Sequence, residues 1–123
     1  MIIAQGDIYW VDLGVPFGSE PGYLWPCVIL QNDHLNRSHI RTVVICTLTT
    51  NLHRATVSGN VLLAPGEANL PQQSVAVVSQ LYSLDKRRVG AKIGALSPDR
   101  VWQILAGVRL VLASPADRST RVE

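Results

Sequence analysis

Apolar and polar positions along the chain fall into short runs broken by turn residues, the pattern of a mainly β protein. Asp7 to Leu13 carries Ile8, Tyr9, Trp10 and Val11, a β-favouring run closed by Gly14 and Pro16. Residues 14–22 form a Gly- and Pro-rich loop with Ser19 and Glu20 near its tip. A second strand is expected from Trp25 to Leu30, followed by the polar turn Gln31-Asn32-Asp33. Arg41 to Leu48 is almost wholly apolar, which predicts a central third strand ending at Thr49-Thr50-Asn51. Short strands are then expected at Val61 to Leu63, Ser74 to Leu84 and Ala91 to Leu96, with a loop over Ala64 to Gln73 and one helical turn over Asp85 to Gly90.

The period changes near the C-terminus. Ser97-Pro98-Asp99 is a helix start: a hydroxyl cap, proline at the first helical position and an acid at the positive end of the helix. Val101, Ile104, Leu105, Val108 and Leu112 recur at helical spacing, and Pro115 stops the helix. Trp102 and Leu110 lie off this stripe and are candidates for a dimer face. Strands first and a helix last predict a mainly β (α+β) fold, a compact barrel with a helix packed across it. The expected organisation is a single domain over 1–115 and a polar tail over 116–123.

Composition narrows the picture without deciding it. Hydrophobic residues make up 47% of the 123 and charged residues 16%, a balance that excludes a disordered chain. The net charge of +2 is too small to establish a nucleic-acid partner. Cations do cluster at Lys86, Arg87, Arg88 and Lys92, and more loosely at Arg37, Arg41 and Arg54, as a phosphate-binding face or as a solvated surface. Cys27 and Cys46 each sit inside an apolar run and read as small hydrophobes. No basic, apolar leader opens the chain, so a cytoplasmic location with reduced thiols is expected.

No P-loop, HExxH or GxSxG is present, and His34, His39 and His53 have no ligand spacing, so no metal site is expected. What remains is a set of polar residues at strand ends: Ser19 and Glu20, Gln31 and Asn32, Thr49 to Asn51, and Gln80.

The order of these pieces resembles a known family. Gly6-Asp7-Ile8-Tyr9-Trp10-Val11-Asp12-Leu13, Gly18-Ser19-Glu20, Pro26 through Gln31-Asn32-Asp33, Leu48-Thr49-Thr50-Asn51, then Leu70-Pro71 before Ser74-Val75 and Gln80, is similar to the MazF/PemK toxins from about Gly6 to Leu112. The resemblance implies an SH3-like, CcdB-like antiparallel barrel that dimerises. It implies a toxin of a type II toxin–antitoxin system, an endoribonuclease that cuts single-stranded mRNA at short sequences and inhibits translation and growth. It also implies a cognate antitoxin as partner, DNA reached through the toxin–antitoxin complex, and no cofactor or metal. In such a reaction the RNA 2′-hydroxyl attacks the adjacent phosphate, and the protein moves protons and stabilises the charge that grows on the phosphoryl oxygens.

Carried over residue by residue, Glu20 matches the acid of the family's Gly-Ser-Glu loop, as a base or to orient an arginine. Thr49 matches the active-site hydroxyl and is expected to give a hydrogen bond to the scissile phosphate. Ser19, Gln31, Asn32, Thr50 and Gln80 are expected near the RNA. The chain departs from the family at Trp25, where an arginine usually precedes the proline of strand two. Tryptophan supplies no charge; it either stacks on a base or packs in the core or dimer interface. Arg54, on the loop that leaves the Thr49 strand end, is the first candidate to replace that arginine, ahead of His53, Arg37 and Arg41. The alternatives are a family member that binds antitoxin or RNA without cutting, and a CcdB-like binder of a protein target; the C-terminal tryptophan of the latter is absent from Arg121-Val122-Glu123.

Overall fold

In the computed structural model, which describes residues 2–114, the order is β1 (Asp7–Asp12), β2 (Leu24–Ile29), α1 (Asp33–Asn36), β3 (Thr42–Thr49), β4 (Val61–Leu63), β5 (Ser74–Asp85), β6 (Val89–Ala95) and α2 (Pro98–Leu112). The proposed tail from Ala116 to Glu123 lies outside the described residues. All six strands join one antiparallel sheet in the order β4-β5-β3-β2-β1-β6. The apolar run near residues 41–48 is the interior strand β3, as its composition predicts.

β3 is apolar on both faces because both are covered. Cys46 and Leu48 join Ile8, Val28, Ala76 and Val78 in one core, while Val43 and Ile45 join Tyr9, Val11, Cys27 and Ile29 in a second. Successive strand residues point to opposite faces, so the two cores lie on either side of the sheet. The sheet edges do not pair with each other among the described residues, so the barrel is an open one. The turn after β4 bridges the seam instead. Asn69 Nδ2 donates to the Ile93 carbonyl of β6 at 3.2 Å, and Ala68 O comes so close to Gly94 that a Cβ there would stand 2.0 Å from it.

The helix α2 covers the first core. Ser97 accepts from the Arg100 N–H as its N-cap and Pro98 is its first residue, as the sequence predicts. Ile104 is fully buried, and Val101, Leu105 and Val108 pack beside it. Burying an isoleucine of this kind contributes about 2–3 kcal/mol. Leu112 departs from the expected stripe: it is 70% exposed, because the helix runs past the end of the sheet's core. Gly107 lets the helix settle onto the 58–60 turn, where an added Cβ would lie 2.0 Å from Gly59 O. Arg100 secures the same helix to the seam, donating from Nε to Glu67 Oε2 at 2.7 Å and from Nη2 to Oε1 at 3.1 Å. No described helix is long and apolar enough to cross a membrane.

Candidate active site

Antiparallel pairing brings the end of β3 beside the start of β2. Cys27 faces Thr47, the last β2–β3 pair before the chain reaches Trp25 on one strand and Thr49 on the other. β5 joins them from the other side, with Thr47 opposite Val77 and Thr49 opposite Val75. Here the ladder breaks. Cys46 pairs with Leu81 but Thr47 pairs with Val77, so residues 78–80 of β5 bulge out of register. A bulge re-aims side chains, and this one carries Gln80. Thr47 Oγ1 donates to Gln80 Oε1, which leaves the Gln80 amide N–H groups as its outward donors.

These elements and the 14–22 loop enclose a cavity of about 390 Å³. Ser19, Glu20, Trp25, Thr49, Arg54 and Gln80 all line it. Six side chains from five separate stretches of sequence thus meet in one place.

Local hydrogen bonds explain the positions. Thr49 Oγ1 accepts from the Asn51 N–H at 3.2 Å, so its own proton is free to be given elsewhere. Asn51 Oδ1 accepts from the His53 N–H at 3.2 Å and caps the short 3-10 turn Leu52–Thr56, which delivers Arg54 to the cavity. Asn60 Nδ2 holds the Arg54 carbonyl at 2.9 Å. Glu20 sits on a tight turn closed by its N–H to Phe17 O at 3.1 Å. Neither Glu20 nor Arg54 takes part in an ion pair among the described residues. Burial, and after it the negative charge of Glu20, raise the pKa of the neighbouring Tyr82 phenol. Tyr82 therefore stays a protonated donor at neutral pH.

Three residues expected near the RNA are elsewhere. Gln31 is buried and gives Nε2 to Asn36 Oδ1 at 3.1 Å and to the Thr42 carbonyl at 3.2 Å. Asn32 caps α1, accepting from the Leu35 N–H at 2.9 Å. Both serve their own backbone, and neither reaches the cavity. Thr50 faces a second, more apolar cavity with Trp10, Pro26 and Lys92. The other cations are also placed away from the site. Arg41 lies beside Asp85 and Lys86, Lys86 holds the Asn36 carbonyl, Arg87 pairs with Asp85, Arg88 holds the Asp12 carbonyl, and Lys92 pairs with Asp7. The basic cluster at 86–92 thus lies away from this cavity, with Arg87 and Lys92 on the solvated surface. His53 and Arg37 do not line the cavity either.

Tyr23 and Val77 line the cavity without having been singled out by sequence, and Asn51, one of the polar strand-end residues, lines it too. Tyr23 adopts φ 59°, a left-handed conformation rare for an aromatic residue, and closes the 14–22 loop through its N–H to Gly14 O at 2.5 Å. Nothing in its sequence context signals that conformation. Among the described residues no three His, Cys, Asp or Glu side chains group as a metal ion would need. Cys27 and Cys46 are free and buried, and burial pushes the Cys27 thiol up to about 12, so neither is a nucleophile at neutral pH.

Residues 4–112 match the model of the PemK-like, MazF-like toxins of type II toxin–antitoxin systems. The chain belongs to this family. Its curated relatives include endoribonuclease MazF2 of Mycobacterium bovis and endoribonuclease MazF6 of Mycobacterium tuberculosis. Each is 34% identical over 112 residues, which span 91% of this toxin and 98% of the relative. Among solved structures, a mycobacterial endoribonuclease in complex with its cognate antitoxin superposes with a TM-score of 0.74 at 25% identity, covering 94% of this toxin and 99% of that chain. MazF of Deinococcus radiodurans superposes with a TM-score of 0.74 at 19% identity over 91% of this toxin and 97% of that chain, a likeness of fold. The mainly β fold with its C-terminal helix is thus the fold of these toxins.

Proposed function

We propose that this toxin is an endoribonuclease that cuts single-stranded RNA in the cavity of Glu20, Thr49, Arg54 and Gln80, without a metal ion. The observation that carries the site is the convergence of these four side chains, from separate elements, on one 390 Å³ cavity. The chemistry follows from what each can do. Glu20 takes the proton of the RNA 2′-hydroxyl as its oxygen bonds to phosphorus. The bond from phosphorus to the 5′-oxygen breaks, that oxygen takes a proton from water while Glu20 releases its own to solvent, and the products are a 2′,3′-cyclic phosphate and a 5′-hydroxyl end. Arg54 and the Thr49 hydroxyl face the phosphoryl oxygens, where negative charge grows. The Gln80 amide, its carbonyl held by Thr47, presents donors to a base or phosphate. Ser19 and Trp25 complete the walls.

The toxin acts in the cytoplasm, where mRNA is the substrate, and a cognate antitoxin silences it by filling the same groove with an acidic, apolar segment. Trp102 and Leu110, 72% and 53% exposed on α2, supply apolar surface for a homodimer. DNA is reached only through the toxin–antitoxin complex. Incubating antitoxin-free protein with long single-stranded RNAs tests this reading: discrete cuts that disappear with Thr49→Ala support it, and intact RNA overturns it. A second reading rests on Trp25, which stands where the family usually has arginine: a protein that binds RNA and antitoxin but does not cut. Tight RNA binding without any cleavage would favour it.

A further inference from the structure

Two buried side-chain polar atoms lack a hydrogen-bond partner among the described residues: Trp25 Nε1 and Arg54 Nε. Both residues line the same cavity. A buried donor without an acceptor is unfavourable, and protein interiors satisfy nearly all of theirs. Two such donors converging on one cavity is the arrangement of a site that awaits an acceptor.

We infer that the Trp25 indole N–H is a substrate-binding group: with Arg54 it gives a hydrogen bond to a non-bridging oxygen of the scissile phosphate. The inference rests on the RNA-cleaving reading of this cavity and adds a role for Trp25 within it. The ring itself is anchored. It packs on the core of Tyr9, Val11, Cys27 and Ile29, pairs with Val11 of β1, and lines the same cavity as Thr49. Core packing therefore accounts for the ring but leaves the N–H without a partner. An indole can donate only a neutral hydrogen bond, so it cannot replace a guanidinium by itself. Arg54 supplies the charge and Trp25 a second, fixed direction, dividing between two side chains what one bidentate arginine does alone. Both nitrogens are closed to solvent, so a phosphate oxygen reaches them only when a wall moves. The loop at 15–20 is exposed along its length and is the wall least held by packing.

Trp25→Phe tests this, because it keeps a buried aromatic ring and removes the N–H. The expected result is a kcat lower by about 10- to 100-fold, because the bond strengthens as charge grows on the phosphate, with KM raised as well and the melting temperature preserved. A second readout does not depend on turnover. In protein labelled with nitrogen-15, the indole N–H resonance assigned to Trp25 by its absence from Trp25→Phe should move downfield on adding an RNA made uncleavable by one 2′-deoxy nucleotide at the cut site. Wild-type kcat in Trp25→Phe, or an unmoved Trp25 resonance while other resonances report binding, overturns the inference and leaves the nuclease reading standing. A wild-type protein that neither cuts nor binds RNA overturns both.

Discussion

Asn60 Nδ2 donates to the Arg54 carbonyl at 2.9 Å, while its Oδ1 accepts from the Val78 N–H at 3.0 Å. One side chain thus clamps the turn that delivers Arg54 to the bulge that aims Gln80. Asn60 is not among the cavity-lining residues, so it acts as a positioning residue. Asn60→Ala should slow cleavage about tenfold or more through misplacement of both groups. Its stability loss should be about 1–2 kcal/mol, from the lost bonds and an unpaired Val78 N–H. Asn60→Asp keeps the acceptor and loses the donor, so it should disturb Arg54 and spare the bulge. Single-turnover rates and thermal melts of the two variants check this; a full rate in both would show that the clamp is dispensable.

Among the described residues, Arg54 is the only Lys or Arg lining the cavity. Arg54→Ala should reduce the cleavage rate about 100- to 1,000-fold, the usual consequence of losing a group that stabilises developing charge. Arg54→Lys should recover part of that, since it restores charge without the guanidinium's paired donors. Rates measured under single-turnover conditions decide it. A full rate in Arg54→Ala would mean that another group carries the charge.

α2 meets the 58–60 turn glycine on glycine. A methyl group at Gly107 would overlap Gly59 O, so Gly107→Ala must push the helix off the 58–60 turn. A loss of roughly 1–3 kcal/mol is expected from such overpacking, despite alanine's better helix propensity. Denaturant unfolding would measure it, and unchanged stability would contradict the packing described.

Acid should destabilise the fold through three carboxylates. Asp85 is brought down to about 2 by the Arg87 side chain and then its N–H, and Asp33 is lowered by the Gln5 N–H and Asn36. Burial alone would raise Glu67, but the bonds from Arg100 and the Ala64 N–H bring it below its ordinary value. Folded pKa values below the unfolded ones mean that this stabilisation is complete above about pH 4 to 5 and fades as pH falls toward 2. Melting temperature against pH should therefore drop through that window. Glu67→Gln should flatten its share of the drop, because Arg100 then loses its ionised partner.

Much of this was legible in the chain. The apolar run of β3, the Ser97-Pro98 helix start and the Ile104 stripe follow from local periodicity, and the structure repeats them. Glu20, Thr49 and Gln80 were readable as polar residues at strand ends, and Arg54 as the cation nearest the Thr49 strand end, but their meeting depends on register. What escaped was tertiary. Gln31 and Asn32 look like site residues in sequence, yet α1 spends one on a buried hydrogen-bond set and the other on a cap. The bulge at 78–80 leaves only a broken alternation in the sequence, and its cause is the Thr47–Gln80 and Asn60–Val78 bonds. The basic cluster at 86–92 read as a phosphate face or a solvated surface, and three of its cations find partners far away in sequence, at Asp7, Asp12 and Asn36, while Arg87 pairs with nearby Asp85 on the surface. Tyr23 gives no sign of its left-handed backbone.

If this cavity cleaves RNA as proposed, the RNA's own 2′-hydroxyl is the nucleophile, activated without a metal. The most direct measurement compares two RNAs in excess EDTA, identical except for one 2′-deoxy nucleotide on the 5′ side of the cut. The all-ribose RNA should be cut to a 2′,3′-cyclic phosphate and a 5′-hydroxyl, and the substituted RNA should stay intact at that position. Cleavage of the substituted RNA, or loss of all cleavage in EDTA, would contradict it.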